Sequence, residues 1–157
     1  MAPILLVITG AASGIGLQLA RHFVSHQLPL ILLDNQKEKL LEHFQEAKNV
    51  QLVVGDASKE ATWQEVIQKA REIQLPISHL INCAGVIRPG FLSDYAISDM
   101  DYHLDINAKG TILGTTLIGR EMKLQEFGHI ISFSSLAGLA PVSGLSLYVA
   151  SKFAVRG

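Results

Sequence analysis

The chain has one cysteine, Cys83, in 157 residues. An internal disulfide is excluded, and a reducing compartment is expected. An excess of either charge is also lacking, since 13 Lys+Arg stand against 14 Asp+Glu for a net charge of −1. That balance offers no electrostatic footprint for nucleic acid and no polybasic surface for a membrane. The apolar run Ile4–Ile8 is far shorter than the roughly 20 residues that span a bilayer, so no integral membrane segment is expected. There are no repeats, no low-complexity tract and no linker. What is present is a 48% hydrophobic chain with mean hydropathy +0.30, which suits a single globular domain over residues 1–157. The first apolar run begins almost at Met1. That leaves no room for a signal or transit peptide, and a cytoplasmic location is expected.

Ile4–Ile8 runs straight into Thr9-Gly10-Ala11-Ala12-Ser13-Gly14-Ile15-Gly16. A continuous apolar run predicts a strand buried on both faces. Leu17–His26 then has helical periodicity, with Leu19, Ala20, Phe23 and Val24 on one side. Gly10 suits a positive φ, Gly14 a close approach of backbone to a ligand, and Gly16 close helix–strand packing. The open N–H groups at a helix start favour a pyrophosphate. Leu30–Asp34 is a second strand ending in a carboxylate, 18 residues past Gly16. An acid at that place hydrogen-bonds the adenosine ribose and repels the extra phosphate of NADP, so NAD is preferred over NADP. The competing reading of Asp34 is a helix cap or a solvated loop acid.

Lys37–Lys48 predicts an amphipathic helix with Leu40, Leu41 and Phe44 facing in. Gln51–Asp56 predicts a third strand. Ser58 is the expected N-cap of a helix through Gln74 that buries Trp63, Val66, Ile67 and Ala70. Ile77–Ala84 predicts a fourth strand, closed by Gly85. Val86–Ile97 is irregular around Arg88-Pro89-Gly90 and falls on the ligand-binding side of an open α/β sheet. A long helix is expected over Ser98–Gln125. Gly110, Gly114 and Gly119 inside it imply close packing on the sheet. His129–Ser134 predicts a fifth strand, and a last helix starts near Ser146. Alternating strands and helices imply a doubly wound parallel sheet with helices on both faces.

Tyr148 and Lys152 lie four residues apart and share a helix face. A tyrosine hydroxyl is a poor base at neutral pH, and a nearby ammonium favours its phenolate. Such a pair can take a proton from an alcohol or give one to a carbonyl. Ser134 and Ser135 end the fifth strand on the same side. His22 and His26 are also spaced for a metal, but they fall on the polar helix face with no third ligand, so no metal is expected. Asp101 and Asp105 read as a solvated helix surface.

Taken together, Thr9–Gly16, Asn82-Cys83-Ala84-Gly85, Asn107, Ser135 and Tyr148-Val149-Ala150-Ser151-Lys152 resemble the motifs of the short-chain dehydrogenase/reductase family, in order and spacing. The resemblance implies a Rossmann-type α/β fold and hydride transfer between a nicotinamide dinucleotide and a secondary alcohol or ketone. By the same resemblance, Tyr148 is the acid/base and also touches the cofactor, and Lys152 assists it and holds the nicotinamide ribose. Ser135, 13 residues before Tyr148, polarises the carbonyl, and Asn107 holds a relay water. Gly10, Ser13, Gly14, Ile15, Gly16 and Asp34 face the dinucleotide. Asp56 and Ala57 border the adenine, and Asn82, Ala84 and Gly85 brace the strand end beside the cofactor. Cys83 reads as a small buried hydrophobe. Val86, Ile87, Phe91, Leu92, Leu136, Leu139 and Val142 suggest an apolar substrate.

The chain ends five residues after Lys152, where members of that family continue with further strands and a substrate cover. Five strands and the start of a sixth helix are expected here. The fifth strand should be an uncovered edge, and the last helix should have little to pack against. The alternative function is a truncated product that binds a dinucleotide or a partner without turnover. A homo-oligomer is also expected.

Overall fold

The computed structural model describes residues 4–157. Five parallel strands form one sheet in the order β3-β2-β1-β4-β5. They are β1 (Leu5–Thr9), β2 (Leu30–Asp34), β3 (Val50–Val54), β4 (Ile77–Asn82) and β5 (His129–Ser132). Helices α1 (Gly14–Ser25), α2 (Lys37–Phe44), α3 (Glu60–Ile73), α4 (Ile97–His103), α5 (Gly110–Leu124) and α6 (Ser146–Arg156) complete the fold. This is the doubly wound, Rossmann-type arrangement.

The unbroken apolar strands have a direct cause. Successive side chains of β1 and β2 point to opposite faces. Leu5, Val7, Ile31 and Leu33 pack with Trp63, Val66 and Ile118 of α3 and α5. Leu6, Ile8, Leu30 and Leu32 pack with Leu17, Ala20, Leu40 and Phe44 of α1 and α2. Each such buried side chain contributes about 1.5–3 kcal/mol, which fixes the two central strands.

The third helix buries Trp63, Val66, Ile67 and Ala70, as its periodicity predicts. Its start differs from expectation. Lys59 is the N-cap, and the Ser58 hydroxyl lies buried with no partner. The turn is set by Asp56 Oδ1, which accepts the Ser58 amide at 2.8 Å. In α2, Leu40 and Phe44 are buried but Leu41 is exposed, and the helix stops at Phe44.

The expected helix over Ser98–Gln125 is three pieces, because a π-helical segment, Leu104–Lys109, separates α4 from α5. Apolar periodicity does not distinguish one wide turn from an α turn. Within α5, a Cβ on Gly114 would lie 2.4 Å from the Trp63 ring, so close packing explains that glycine. It does not explain Gly119, where the nearest atom would be 3.8 Å away.

Strands β4 and β5 end earlier than predicted. Thr9 Oγ1 accepts the amides of Cys83 and Ala84 at 3.1 and 3.0 Å, drawing them out of the ladder. Ser134 turns its hydroxyl to the Lys152 carbonyl at 2.8 Å. β5 is an edge with His129, Ile131 and Ser132 exposed, as expected. The last helix is better held than expected: α6 packs against Leu136–Gly138 and the π segment, burying Leu147, Ser151 and Lys152.

Candidate active site

The carboxyl ends of β1 to β4 open onto one cleft. Its lining includes Gly10, Ser13, Gly14, Ile15, Gly16, Asp34, Asp56, Ala57, Ala84 and Gly85, with Gln36, Cys83, Val86 and Ile106 beside them. Ten of the predicted dinucleotide residues thus share one cavity. Asn82, Tyr148 and Lys152 do not line it.

The glycine turn has the shape its sequence suggests. Gly10 has φ +69°, and a Cβ there would sit 2.8 Å from the Ala84 amide nitrogen. Gly14 has φ +54° with open space where a side chain would be, so the backbone is bare toward the cleft. Gly16 lies in the first turn of α1, and its Cβ would be 2.3 Å from the Gly10 carbonyl oxygen. Only glycine admits that approach of helix to turn.

Asp34 is buried in the cleft lining, so it is not a solvated loop acid, and Gln36 rather than Asp34 is the N-cap of α2. Its Oδ2 accepts the Ala12 amide of the glycine turn at 2.9 Å, while Oδ1 accepts the Gln36 amide at 3.0 Å ahead of α2. A carboxylate has about four acceptor sites, so these bonds leave capacity for a ligand hydroxyl. No lysine or arginine lines the cleft among the described residues. Asn82 is buried and braces the end of β4, its Nδ2 donating to Ser132 Oγ at 3.1 Å and Thr115 Oγ1 at 3.4 Å.

A second cluster joins the cleft at Gly85. A Cβ on Gly85 would lie 3.3 Å from Asn107 Oδ1 and 3.4 Å from Lys152 Nζ. Lys152 is almost fully buried, donates to the Phe133 carbonyl at 2.8 Å, and stands 5.8 Å from the Tyr148 ring centre. Burial holds its ammonium below the ordinary lysine value. The Asn107 side chain brackets Val86: Oδ1 accepts its amide at 2.7 Å and Nδ2 donates to its carbonyl at 2.9 Å. Asn107 Nδ2 also donates to Ser151 Oγ at 2.9 Å, and Ser151 donates to the Tyr148 carbonyl at 2.7 Å. Ser135 Oγ accepts the Ala137 amide at 3.2 Å, whereas Ser134 is committed to Lys152.

Sequence reasoning missed the roles of Thr9, Ser151 and His103. Thr9 and His103 accept backbone amides from elsewhere in the fold and Ser151 accepts from the Asn107 side chain, and a hydroxyl or imidazole gives no local sign of such a partner. The His22 and His26 rings lie tilted to each other with centres 4.5 Å apart, and His26 Nδ1 meets the His22 carbonyl. Among the described residues no three metal-binding side chains gather, and no helix is long and apolar enough to cross a membrane.

A family profile described as short chain dehydrogenase matches residues 5–157. The chain belongs to this family. Short-chain dehydrogenases are oxidoreductases, and this chain is 36% identical to oxidoreductase UcpA of Salmonella typhimurium over 155 residues, 96% of the chain and 59% of that protein. A short-chain dehydrogenase/reductase from Burkholderia phymatum, solved in complex with NAD, superposes with TM-score 0.93 at 30% identity, covering 99% of this chain and 57% of that one. The closed form of serine dehydrogenase complexed with NADP+ gives TM-score 0.90 at 27% identity, covering 97% and 62%. The chain therefore spans about three-fifths of the length of these relatives.

Proposed function

We propose that this chain carries the dinucleotide site and proton-transfer residues of an NAD-dependent oxidoreductase acting on a secondary alcohol or ketone. The observation that carries the reading is the continuity at Gly85, which places Lys152 and Asn107 beside a cleft lined by the glycine turn and Asp34. The cleft fits the group: Gly14 leaves bare backbone toward it, and α1 starts there, where the first-turn amides of a helix have no partner within the helix and suit a pyrophosphate. Asp34 accepts ribose hydroxyls and disfavours a 2′-phosphate, and the cleft lining supplies no cation to offset it. Asp56 and Ala57 border the adenine end. When bound, the nicotinamide gives or takes the hydride.

The chain's own residues then manage the proton. Tyr148 receives the alcohol proton during oxidation and returns it to the carbonyl oxygen during reduction. Lys152 holds positive charge beside the Tyr148 ring and meets the nicotinamide ribose. Ser135 hydrogen-bonds the substrate oxygen; Ser134, tied to the Lys152 carbonyl, is not free to do so. Asn107 keeps the Val86 backbone and Ser151 in place and holds a relay water near Lys152. Exposed Ile87, Phe91, Leu136, Leu139 and Val142 favour an apolar substrate.

The test is a panel of secondary alcohols and ketones assayed by nicotinamide absorbance. Tyr148→Phe should lose turnover by about 10²–10⁴-fold while binding NADH as before. Full activity in that variant contradicts the assignment. The exposed edge of β5 favours a second reading, a chain that binds the dinucleotide or a partner without turnover. Saturable NADH binding with no turnover of any alcohol or ketone selects it.

A further inference from the structure

Of the six histidines, only His103 is fully buried. Both of its ring nitrogens meet backbone. Nδ1 is 2.7 Å from the Asp99 carbonyl oxygen, and Nε2 is 3.1 Å from the Arg88 amide nitrogen. A carbonyl can only accept and an amide can only donate. The ring must therefore carry its proton on Nδ1 and keep Nε2 bare.

One turn further on, Asn107 holds Val86 through both its amide and its carbonyl. Along this stretch, which widens into the π segment after His103, side chains four residues apart face chain positions two residues apart. Side chains one turn apart thus meet alternate peptide groups of the segment after β4. The same segment has other fixings. Tyr95 Oη donates to the Arg88 carbonyl at 2.7 Å, the Arg88 guanidinium pairs with Asp99 and lies 4.5 Å from the Tyr102 ring centre, and the Gly90 amide donates to the Gly144 carbonyl at 2.8 Å. Ile87 and Phe91 remain open to solvent while the backbone of their neighbours Val86, Arg88 and Gly90 is held.

We propose that His103, in its neutral Nδ1–H form, is a positioning residue that fixes the backbone at Arg88 and so places the apolar side chains of Ile87 and Phe91. The latch itself does not depend on the oxidoreductase reading; that reading enters only in making Ile87 and Phe91 part of the substrate side.

The test is amide hydrogen exchange on the 157-residue chain. His103→Leu fills the space without an acceptor, and His103→Gln keeps an acceptor near the Nε2 position. The leucine variant should speed exchange at Arg88 by about ten-fold, with Leu80 and Ile31 amides unchanged, and the glutamine variant should restore most of the protection. Unchanged exchange at Arg88, equal loss across the sheet, or a glutamine variant no better than leucine overturns the proposal. Should the leucine variant fail to fold, the wild-type imidazole nitrogen spectrum decides: a protonated Nδ1 with bare Nε2 supports the latch, and the opposite tautomer overturns it. Titration of the wild type with NADH alongside separates the two readings, because absent binding counts against the dinucleotide site while the exchange result stands for the latch alone.

Discussion

Cys83 lines the cleft beside the glycine turn, and burial pushes its thiol up to about 11, a rise that the nearby Lys152 charge only partly offsets. The raised value means less thiolate at any pH below it, and the thiolate is the nucleophile. Alkylation of Cys83 by iodoacetamide at pH 8 should therefore run at least about ten-fold slower in the folded chain than after denaturation. Equal rates would contradict the burial argument. Thr9 shows a different use of one side chain. Its hydroxyl accepts two successive amides where β4 leaves the sheet. Thr9→Val keeps the shape and strands both donors, so urea unfolding should show a loss of about 1–3 kcal/mol. A loss within error would mean that other groups satisfy those amides. At this scale the motif residues were legible, because their spacing is chemical. Thr9, Ser151 and His103 were not, since their cross-element partners lie 74 and 75, 44 and 15 residues away along the chain, respectively.

Helix α5 illustrates how an element can be read correctly in outline and wrongly in detail. The apolar spacing showed a long helix, and Gly114 signalled a tight contact, expected against the sheet, that proves to be chiefly the Trp63 ring of α3. The wide turn at Leu104–Lys109 left no sign, because no proline or glycine marks it and apolar periodicity tolerates one extra residue. Boundaries failed for a similar reason. Ser58 has the right chemistry for an N-cap, yet Asp56 captures the turn first. The start of α1 was placed late because glycines weaken the helical pattern while still forming its first turn. Gly114→Ala tests the packing account. Alanine gains about 1 kcal/mol of helix propensity, but its Cβ would meet the indole, a clash of about 1–3 kcal/mol. The urea midpoint should fall, and Trp63 fluorescence should shift. A rise in stability would show that α5 moves away without cost.

For the whole molecule, the parallel sheet, its two-faced core and the edge position of the fifth strand follow from alternating apolar strands and helices and were readable before any coordinates, whereas the full strand order was not. The exposed strand β5 is the weak boundary of that sheet. Its unpaired backbone edge should promote association as concentration rises. Ile131→Lys, at an exposed edge position, should reduce that association in sedimentation velocity, and no change would direct attention to another surface. What unites the molecule is the cleft at the carboxyl ends of β1 to β4, where glycine backbone and an acidic floor meet and Lys152 adjoins at Gly85. Fluorescence titration of the chain with NADH and with NADPH tests that convergence most directly. The account predicts saturable binding that favours NADH and loses the preference in Asp34→Ala. No binding of either dinucleotide, or tighter binding of NADPH, would contradict it.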